Sequence, residues 1–207
     1  MAKAAKEIPF RVGVVGESSF DTKAMRELPE REYGQRVQFI DLGLRLDGGQ
    51  LDGPKAQTMF RLRYEAKHPD LLVIFRDLDA PADDEAMRQK RAAFFADMNA
   101  MVAGRGLFLV HVYTIEALLI AHIEVFQQKF GWQCRVPANP TTIPKPAQFL
   151  RDASRNSRRR YDKASCPDMM ALVEYAYLTK RCRYFAEFDQ ALAARLPPLP
   201  APPKELL

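Results

Sequence analysis

Short apolar runs alternate with longer amphipathic segments along the first 130 residues. The runs predict strands at FRVGVV (10–15), RVQFIDLG (36–43), LLVIF (71–75) and LFLVHVY (107–113). The segments between and after them predict helices over 20–31, 54–68, 83–102 and 115–130, with a Gly-rich connection at 46–53. Alternation of this kind predicts an α/β fold, a Rossmann-like and mainly parallel four-stranded sheet with helices on both faces.

The composition changes after Gly131. Residues 135–146 contain four prolines, which predicts a semi-extended connector. Helical patterns follow at 147–158, 168–180 and 182–195, and the terminal LPPLPAPPKELL predicts disorder. We therefore divide the chain into an α/β domain (8–131), a proline-rich connector with a basic helical extension (132–195) and a disordered tail (196–207).

Composition narrows the class of protein. The chain has 207 residues, 47% of them hydrophobic, which suits one globular domain with a small appendage. No run of eighteen apolar residues occurs and the first residues contain no secretory apolar core, so we expect a cytoplasmic protein without a membrane span. The three cysteines form no CxxC pair, which argues against a disulfide framework or a thiolate zinc site.

Positive charge is concentrated between Lys145 and Lys163. That stretch has seven basic residues and two acidic ones, which equals the whole net charge of +5. We expect a polyanion to contact it, with phosphate bound by arginines and a base stacked on Tyr161. The arginines in question are Arg155, Arg158, Arg159 and Arg160. The alternative is a solvated, charged helix face.

Acidic residues follow two of the predicted strands at the point where each ends. Glu17 comes directly after the first apolar run, and Asp21 follows four residues later. Asp77 and Asp79 close the third run. Ligands of open parallel sheets bind beyond the carboxyl ends of the strands, and alternate side chains of a strand share a face. If the two strands are neighbours, these carboxylates gather; otherwise the acids are solvated loop residues.

Carboxylates held close together require protonation or a cation. Oxygen ligands select Mg²⁺ or Mn²⁺ over zinc, and such an ion suits phosphoryl chemistry. The acids at the strand ends therefore predict a metal site, which makes 8–131 a metal-binding domain. His111, on the fourth predicted strand, is interpreted as a core histidine, with a general base or metal ligand as the alternative.

The segments GESSFD (16–21) and FRDLDA (75–80) resemble the Toprim domain of primases, topoisomerases and the overcoming-lysogenization-defect nucleases. The resemblance implies that Glu17, Asp77 and Asp79 hold the metal, with Glu17 also acting as general acid or base. Asp21 would support them. Two departures are that Ser18 stands where most Toprim domains have glycine, and that no glycine follows Asp79 in the usual place.

A second resemblance covers nearly the full length. YTIEALLIAH (113–122) and the segment 161–188 are similar to a compact bacterial Toprim-like family, often encoded beside an ABC-type or AAA-type ATPase in phage-defence loci. It implies that Glu116 is a fourth metal-site acid, although a helix N-terminus also favours a carboxylate there. Lys163 is expected to stabilise a leaving oxyanion if the tail folds over the cleft.

The leading functional hypothesis is a Mg²⁺-dependent nuclease that cleaves RNA (tRNA being one candidate) or DNA. The resemblance to the compact Toprim-like family implies that this nuclease is an effector of anti-phage defence, controlled by a partner ATPase. A homodimer is compatible with this hypothesis. The alternative is a catalytically inactive, Toprim-like interaction subunit of an ATPase complex. A phosphatase is less favoured, because its Asp-x-Asp belongs after the first strand and this one follows the third.

Overall fold

A computed structural model describes residues 9–43 and 51–199 as a four-stranded sheet surrounded by helices. The strands are β1 (Arg11–Val15), β2 (Gln38–Asp41), β3 (Leu71–Asp77) and β4 (Gly106–His111). Their order is β2-β1-β3-β4, and every pairing is parallel. The predicted α/β class with a parallel four-stranded sheet is therefore confirmed. Of the glycine-rich connection predicted at 46–53, residues 46–50 lie outside the described part of the chain.

Nine helices accompany the sheet in the described part of the chain. They are α1 (Ser19–Tyr33), α2 (Pro54–Lys67), α3 (Glu85–Met101), α4 (Glu116–Ala121), α5 (Ile123–Phe130), α6 (Pro146–Ser154), α7 (Cys166–Met170), α8 (Tyr175–Arg181) and α9 (Arg183–Ala193). The helix predicted over 115–130 is divided at His122, and the one predicted over 147–158 ends at Ser154. Within residues 9–43 and 51–199, no helix combines the length and apolarity that a membrane span needs.

The sheet separates two hydrophobic clusters because successive strand side chains point to opposite faces. In β1, Val12 and Val14 pack with α1 and the C-terminal helices, whereas Val15 packs with α2 and α3. In β3, Val73 and Ile74 divide in the same way. Both faces of the sheet are covered, which explains why its central strands are continuously apolar.

The C-terminal extension packs on the same cluster as α1 and the sheet. Arg31 of α1 donates hydrogen bonds to the carbonyl oxygens of Met170, Ala171 and Val173, at 2.8–3.0 Å. Leu196 is buried, and the carbonyl oxygen of Pro197 accepts from Arg36 Nε at 2.8 Å. The first residues assigned to a disordered tail are thus held against the domain; residues 200–207 lie outside the described part.

Asp189 of α9 joins the extension to the end of α1. Its Oδ1 accepts hydrogen bonds from the hydroxyls of Tyr33, at 2.5 Å, and Tyr175, at 2.7 Å. Burial and the Asp189 carboxylate together raise the pKa of both tyrosines above the usual value. The helix predicted over 20–31 extends from Ser19 to Tyr33, past Pro29, because the packing of Tyr33 outweighs the hydrogen bond that proline removes.

Replacing Asp189 should test how firmly the extension is held. We expect Asp189→Ala to lower the free energy of unfolding by about 2–4 kcal/mol, because two buried tyrosine hydroxyls lose a carboxylate acceptor. Asp97→Ala, on the exposed surface of α3, is the matched control and should change it by no more than about 0.5 kcal/mol. Urea denaturation followed by circular dichroism measures both. Equal effects of the two variants would contradict the role given to Asp189.

Candidate functional site

The carboxyl ends of β1 and β3 form the crevice of the sheet. The two strands are neighbours, with Val14 paired to Val73 and Val15 to Ile74. The chain leaves β1 for β2 on one side and β3 for β4 on the other, which makes this the topological switch point where ligands of such sheets bind. Glu17 Oε1 accepts a hydrogen bond from the backbone N–H of Asp77 at 3.1 Å. The ends of the first and third strands therefore meet.

Gly16 and Ser18 position the turn between β1 and α1. A Cβ atom on Gly16 would lie 2.3 Å from Cε2 of Phe75, so only glycine fits at the end of this strand. Ser18, in place of the glycine typical of Toprim domains, is the N-cap of α1. Its Oγ accepts from the backbone N–H of Asp21 at 3.2 Å and donates to Asp21 Oδ2 at 2.7 Å. The serine thus fixes the direction of the Asp21 carboxylate.

A guanidinium group already neutralises Glu17. Arg76, 2% exposed, donates from Nε to Glu17 Oε1 at 2.6 Å and from Nη1 to Asp52 Oδ1 at 2.7 Å. Its guanidinium also lies 4.5 Å from the ring centre of Phe94. Burial acts to lower the pKa of Arg76, but Asp52 and Glu17 outweigh it and raise the pKa. Arg76 is therefore always positively charged, and it pairs with Glu17, which we expected to bind a metal ion.

A second guanidinium group binds Asp79. Arg91 of α3 donates to the carbonyl oxygen of Asp77 at 2.8 Å and to Asp79 Oδ2 at 2.9 Å. Asp79 has a left-handed backbone, with φ at +59°, and its side chain is 54% exposed. Because this conformation interrupts the strand, Asp77 and Asp79 do not share one face, contrary to the expectation from strand alternation.

Lys163 of the extension reaches the acids on the other side of the crevice. Its Nζ lies 2.7 Å from Asp21 Oδ1 and 3.5 Å from Glu116 Oε1. The Tyr161 hydroxyl donates to the same Glu116 oxygen at 2.7 Å. Burial would raise the pKa of Glu116, but Lys163 and the hydrogen bond from Tyr161 lower it overall. The extension does fold over the crevice, as the role expected for Lys163 requires.

Asp77 is buried between the arginine contacts of Glu17 and Asp79 on one side and the Lys163 contacts on the other. Its Oδ1 accepts from the backbone N–H of Ile115 at 2.9 Å. Burial raises the pKa of Asp77 well above the usual range, and the negative charges of Glu17, Asp21 and Glu116 raise it further. Three acids, Asp21, Asp77 and Glu116, thus influence one another around Lys163. We call them the inner acid group.

Lys163 alone would not balance the inner acid group if all three acids were ionised. Three carboxylates and one ammonium would then carry two net negative charges, the amount that one divalent cation neutralises; without a cation, the raised pKa of Asp77 favours its protonated form. Glu116 Oε2 is buried and has no hydrogen-bond partner among the described residues. All the atoms that could coordinate a metal ion here are carboxylate oxygens, the type of ligand that Mg²⁺ prefers. In chemistry and charge, these residues fit a hard divalent ion.

The structure divides the four acids expected to hold the metal. Glu17 and Asp79 pair with Arg76 and Arg91, whereas Asp77 and Glu116 lie with Asp21 in the inner acid group. Within residues 9–43 and 51–199, no three His, Cys, Asp or Glu side chains are arranged so that one metal ion could bind them as they stand. A bound ion would therefore require Lys163 or an acid side chain to move.

The basic residues of 155–160 lie on an irregular loop after α6 and not on a helix. Arg155, Arg158 and Arg160 are exposed, although Arg155 also pairs with Asp152 at 2.6 Å. Arg159 is half-buried, and its carbonyl oxygen accepts from the Trp132 indole at 2.8 Å. Three of the four arginines proposed for nucleic-acid contact therefore face solvent.

Tyr161 differs from its expected role. Its side chain is buried, with the residue only 4% exposed, so the ring offers no face on which a base could stack. Burial raises the pKa of the Tyr161 hydroxyl, and the neighbouring Glu116 carboxylate raises it further. The tyrosine is a hydrogen-bond donor to Glu116 instead.

Three residues of the site were not found by sequence reasoning: Asp52, Arg76 and Arg91. Asp52 and Arg91 left no recognisable signal, because their partners are distant in sequence. Arg76 did leave one, since an arginine inside the apolar strand LLVIFRD must be buried and must find carboxylates.

His111 lies on β4 near the crevice and is fully buried. Neither ring nitrogen has a hydrogen-bond partner among the described residues. Burial lowers the pKa of His111 to about 3, despite the nearby Glu116 carboxylate, so the ring is neutral at pH 7. It is a core histidine, as interpreted from the sequence, but without the hydrogen bonds expected of one.

Comparisons with known proteins return nothing that resembles this chain. No family model, no curated protein and no solved structure matches it. The Toprim resemblance of the short motifs therefore stays a prediction from the sequence.

A double-mutant cycle tests the pairing of Arg76 with Glu17. Arg76→Met should lower the free energy of unfolding by about 3–5 kcal/mol, because it leaves two carboxylates without their buried cation. Adding Glu17→Gln should recover about 1–3 kcal/mol of that loss. Arg63→Met, on the exposed surface of α2, serves as the control. Thermal and urea unfolding measure the effects, and an Arg76→Met variant as stable as the control would refute the pairing.

The neutral, buried His111 predicts a stability that depends on pH. Its pKa is about 3 in the folded chain and about 6.5 unfolded, so protons favour the unfolded state below pH 6.5. Between pH 6.5 and 4.5, wild type should lose about 2–3 kcal/mol more than His111→Gln, at about 1.4 kcal/mol per pH unit. Urea titrations at both pH values measure this difference. His68→Asn, at an exposed helix end, should behave as wild type; parallel pH profiles for wild type and His111→Gln would reject the prediction.

Proposed function

We propose that this protein is a Mg²⁺-dependent nuclease whose metal is held by Asp21, Asp77 and Glu116. The observation that supports this most is the inner acid group, in which three carboxylates surround one ammonium at the switch point of the sheet. Bound there, Mg²⁺ would activate a water and stabilise the charge that grows on a scissile phosphate. The ligand set differs from that expected from the motifs, since Asp21 takes the place of Glu17 and Asp79.

The chain's own groups would act on a phosphodiester in two ways. Lys163, whose pKa is raised because its two acid neighbours outweigh burial, is a cation that can hold a phosphate oxygen or a leaving oxyanion. Arg158 and Arg160 lie on the exposed loop directly before it. Three residues span at most about 11 Å, so Arg160 lies within about one or two nucleotide phosphates of Lys163. These arginines would position the strand without reading its sequence.

A second function, a catalytically inactive interaction subunit, is favoured by one observation. Arg76 and Arg91 form ion pairs with Glu17 and Asp79, two of the acids that the Toprim resemblance assigns to the metal. A chain that supplies its own cations has less need of a metal. Calorimetric titration with Mg²⁺ and Mn²⁺ separates the two candidates, because an interaction subunit gives no binding heat. Control by a partner ATPase and a role in phage defence stay predictions from the sequence resemblance.

The decisive experiment is a cleavage assay with substitutions in the inner acid group. Purified protein is incubated with tRNA, other RNA and DNA in Mg²⁺ and Mn²⁺, beside Asp77→Asn and Glu116→Gln. We expect each variant to lower the cleavage rate at least about 100-fold, the cost of removing one strong contact to the transition state. Asp77→Asn should also be at least as stable as wild type without metal, because it removes a buried acid with like-charged neighbours.

Asp97→Asn, an exposed acid of α3, is the matched control and should cleave at the wild-type rate. Cleavage that survives both inner-group substitutions would come from another site or from a contaminant, and would end the proposal. The same conclusion follows if wild type cleaves no substrate and binds neither ion.

A further inference from the structure

A cleft of about 900 Å³ opens beside β4, the edge strand of the sheet. Its floor is apolar and consists of Leu78, Val110 and Val112. One wall is α3, where the Phe95 ring stacks on Phe108 with 4.3 Å between ring centres. The opposite wall is the start of α9, and the 3₁₀ turn Pro140–Thr142 borders the opening. The volume is that of a small-molecule site.

Exposed guanidinium groups stand on both walls of this cleft. Arg88 is on α3, and Arg183, with its side chain 93% exposed, is on α9. Arg183 Nε lies 2.8 Å from Glu187 Oε1 within the same helix. An exposed pair of this kind is worth little, so Arg183 can exchange its partner for a ligand anion at small cost. A phosphate is the anion that guanidinium groups bind best, because their geometry allows paired hydrogen bonds.

Polar side chains also border the cleft. Gln89 Nε2 donates to Glu85 Oε1 at 3.1 Å, and Thr141 Oγ1 donates to Asn139 Oδ1 at 2.7 Å. Exposed hydrogen bonds of this kind contribute little net free energy, so both side chains can turn to polar atoms of a ligand. Tyr184 lines the wall formed by α9, but its ring packs against His111 and its hydroxyl is buried, so the hydroxyl is not exposed to a ligand in the cleft.

We propose that the cleft binds a small organic anion that joins a flat ring to a phosphate, by chemical class a mononucleotide. The ring would pack on the floor of Leu78, Val110 and Val112, and the phosphate would bind Arg88 and Arg183. A planar ring matches the apolar floor and a phosphate matches the cationic walls, so a ligand must contain both groups to match the whole cleft.

This site is separate from the inner acid group. None of Asp21, Asp77, Glu116 and Lys163 lines the cleft, and the one residue in common with the surrounding ion pairs is Arg91 at its inner end. Binding in the cleft needs no metal ion. Mononucleotide binding in the cleft can therefore be tested separately from nuclease activity.

Calorimetric titration of the full chain with AMP and GMP, in EDTA to remove metal ions, tests the proposal. We expect one site with a dissociation constant below about 100 μM, a modest affinity for a ligand of this size. Adenosine alone and inorganic phosphate alone should each bind at least about 10-fold more weakly, because each lacks half of the contacts. Phosphate binding as tightly as AMP would identify a simple anion site and overturn the proposal.

Two variants locate the ligand. Arg88→Glu should weaken AMP binding about 10- to 100-fold, through a lost charge-assisted hydrogen bond and a new repulsion. Ala92→Trp, at an exposed position of α3 that lines the cleft, should fill the ring position and abolish binding. Arg63→Glu makes the same charge change on the exposed surface of α2, outside the cleft, and should leave the affinity unchanged. No binding to wild type at about 1 mM nucleotide, or equal affinity for all variants, would overturn the proposal.

Discussion

Neutralising the carboxylates at the ends of β1 and β3 is the constraint on which the rest of this structure depends. Parallel strands bring Glu17 and Asp77 to one crevice, and charge of one sign cannot be buried there without a counter-charge. The chain meets the need with cations from three places: Arg76 within β3, Arg91 on α3 and Lys163 in the extension. Each cation decides where its acid points.

The C-terminal extension is therefore part of the site and not an appendage to it. It supplies Lys163 and Tyr161 to the inner acid group, and Asp189 fixes α9 against α1, the helix that begins beside Asp21. The exposed arginines of 155–160 precede these contacts along the chain. Movement of the extension would expose Asp21 and Glu116 together, because Lys163 contacts both acids and Tyr161 contacts Glu116.

The two sides of the crevice differ in how completely their negative charge is neutralised by cationic side chains. Arg76 has two carboxylates in hydrogen-bond contact and a ring beside it, so Glu17 is held as firmly as a core residue. The inner acid group has only one ammonium for three acids and keeps one carboxylate oxygen of Glu116 unpaired. Structural ion pairs lie on the first side, and the metal ion that we propose would bind on the second.

The sequence by itself determined the α/β class and the order of strands and helices in the first 130 residues, because apolar periodicity is a local property. Only the tertiary structure decided that β1 and β3 are neighbours, so that Glu17 meets Asp77, and which cation each acid faces. The left-handed backbone of Asp79 turned it to Arg91, and the folding of the extension brought Lys163 to Asp21. Contacts between residues far apart in the chain depend on packing in three dimensions, and no local pattern encodes them.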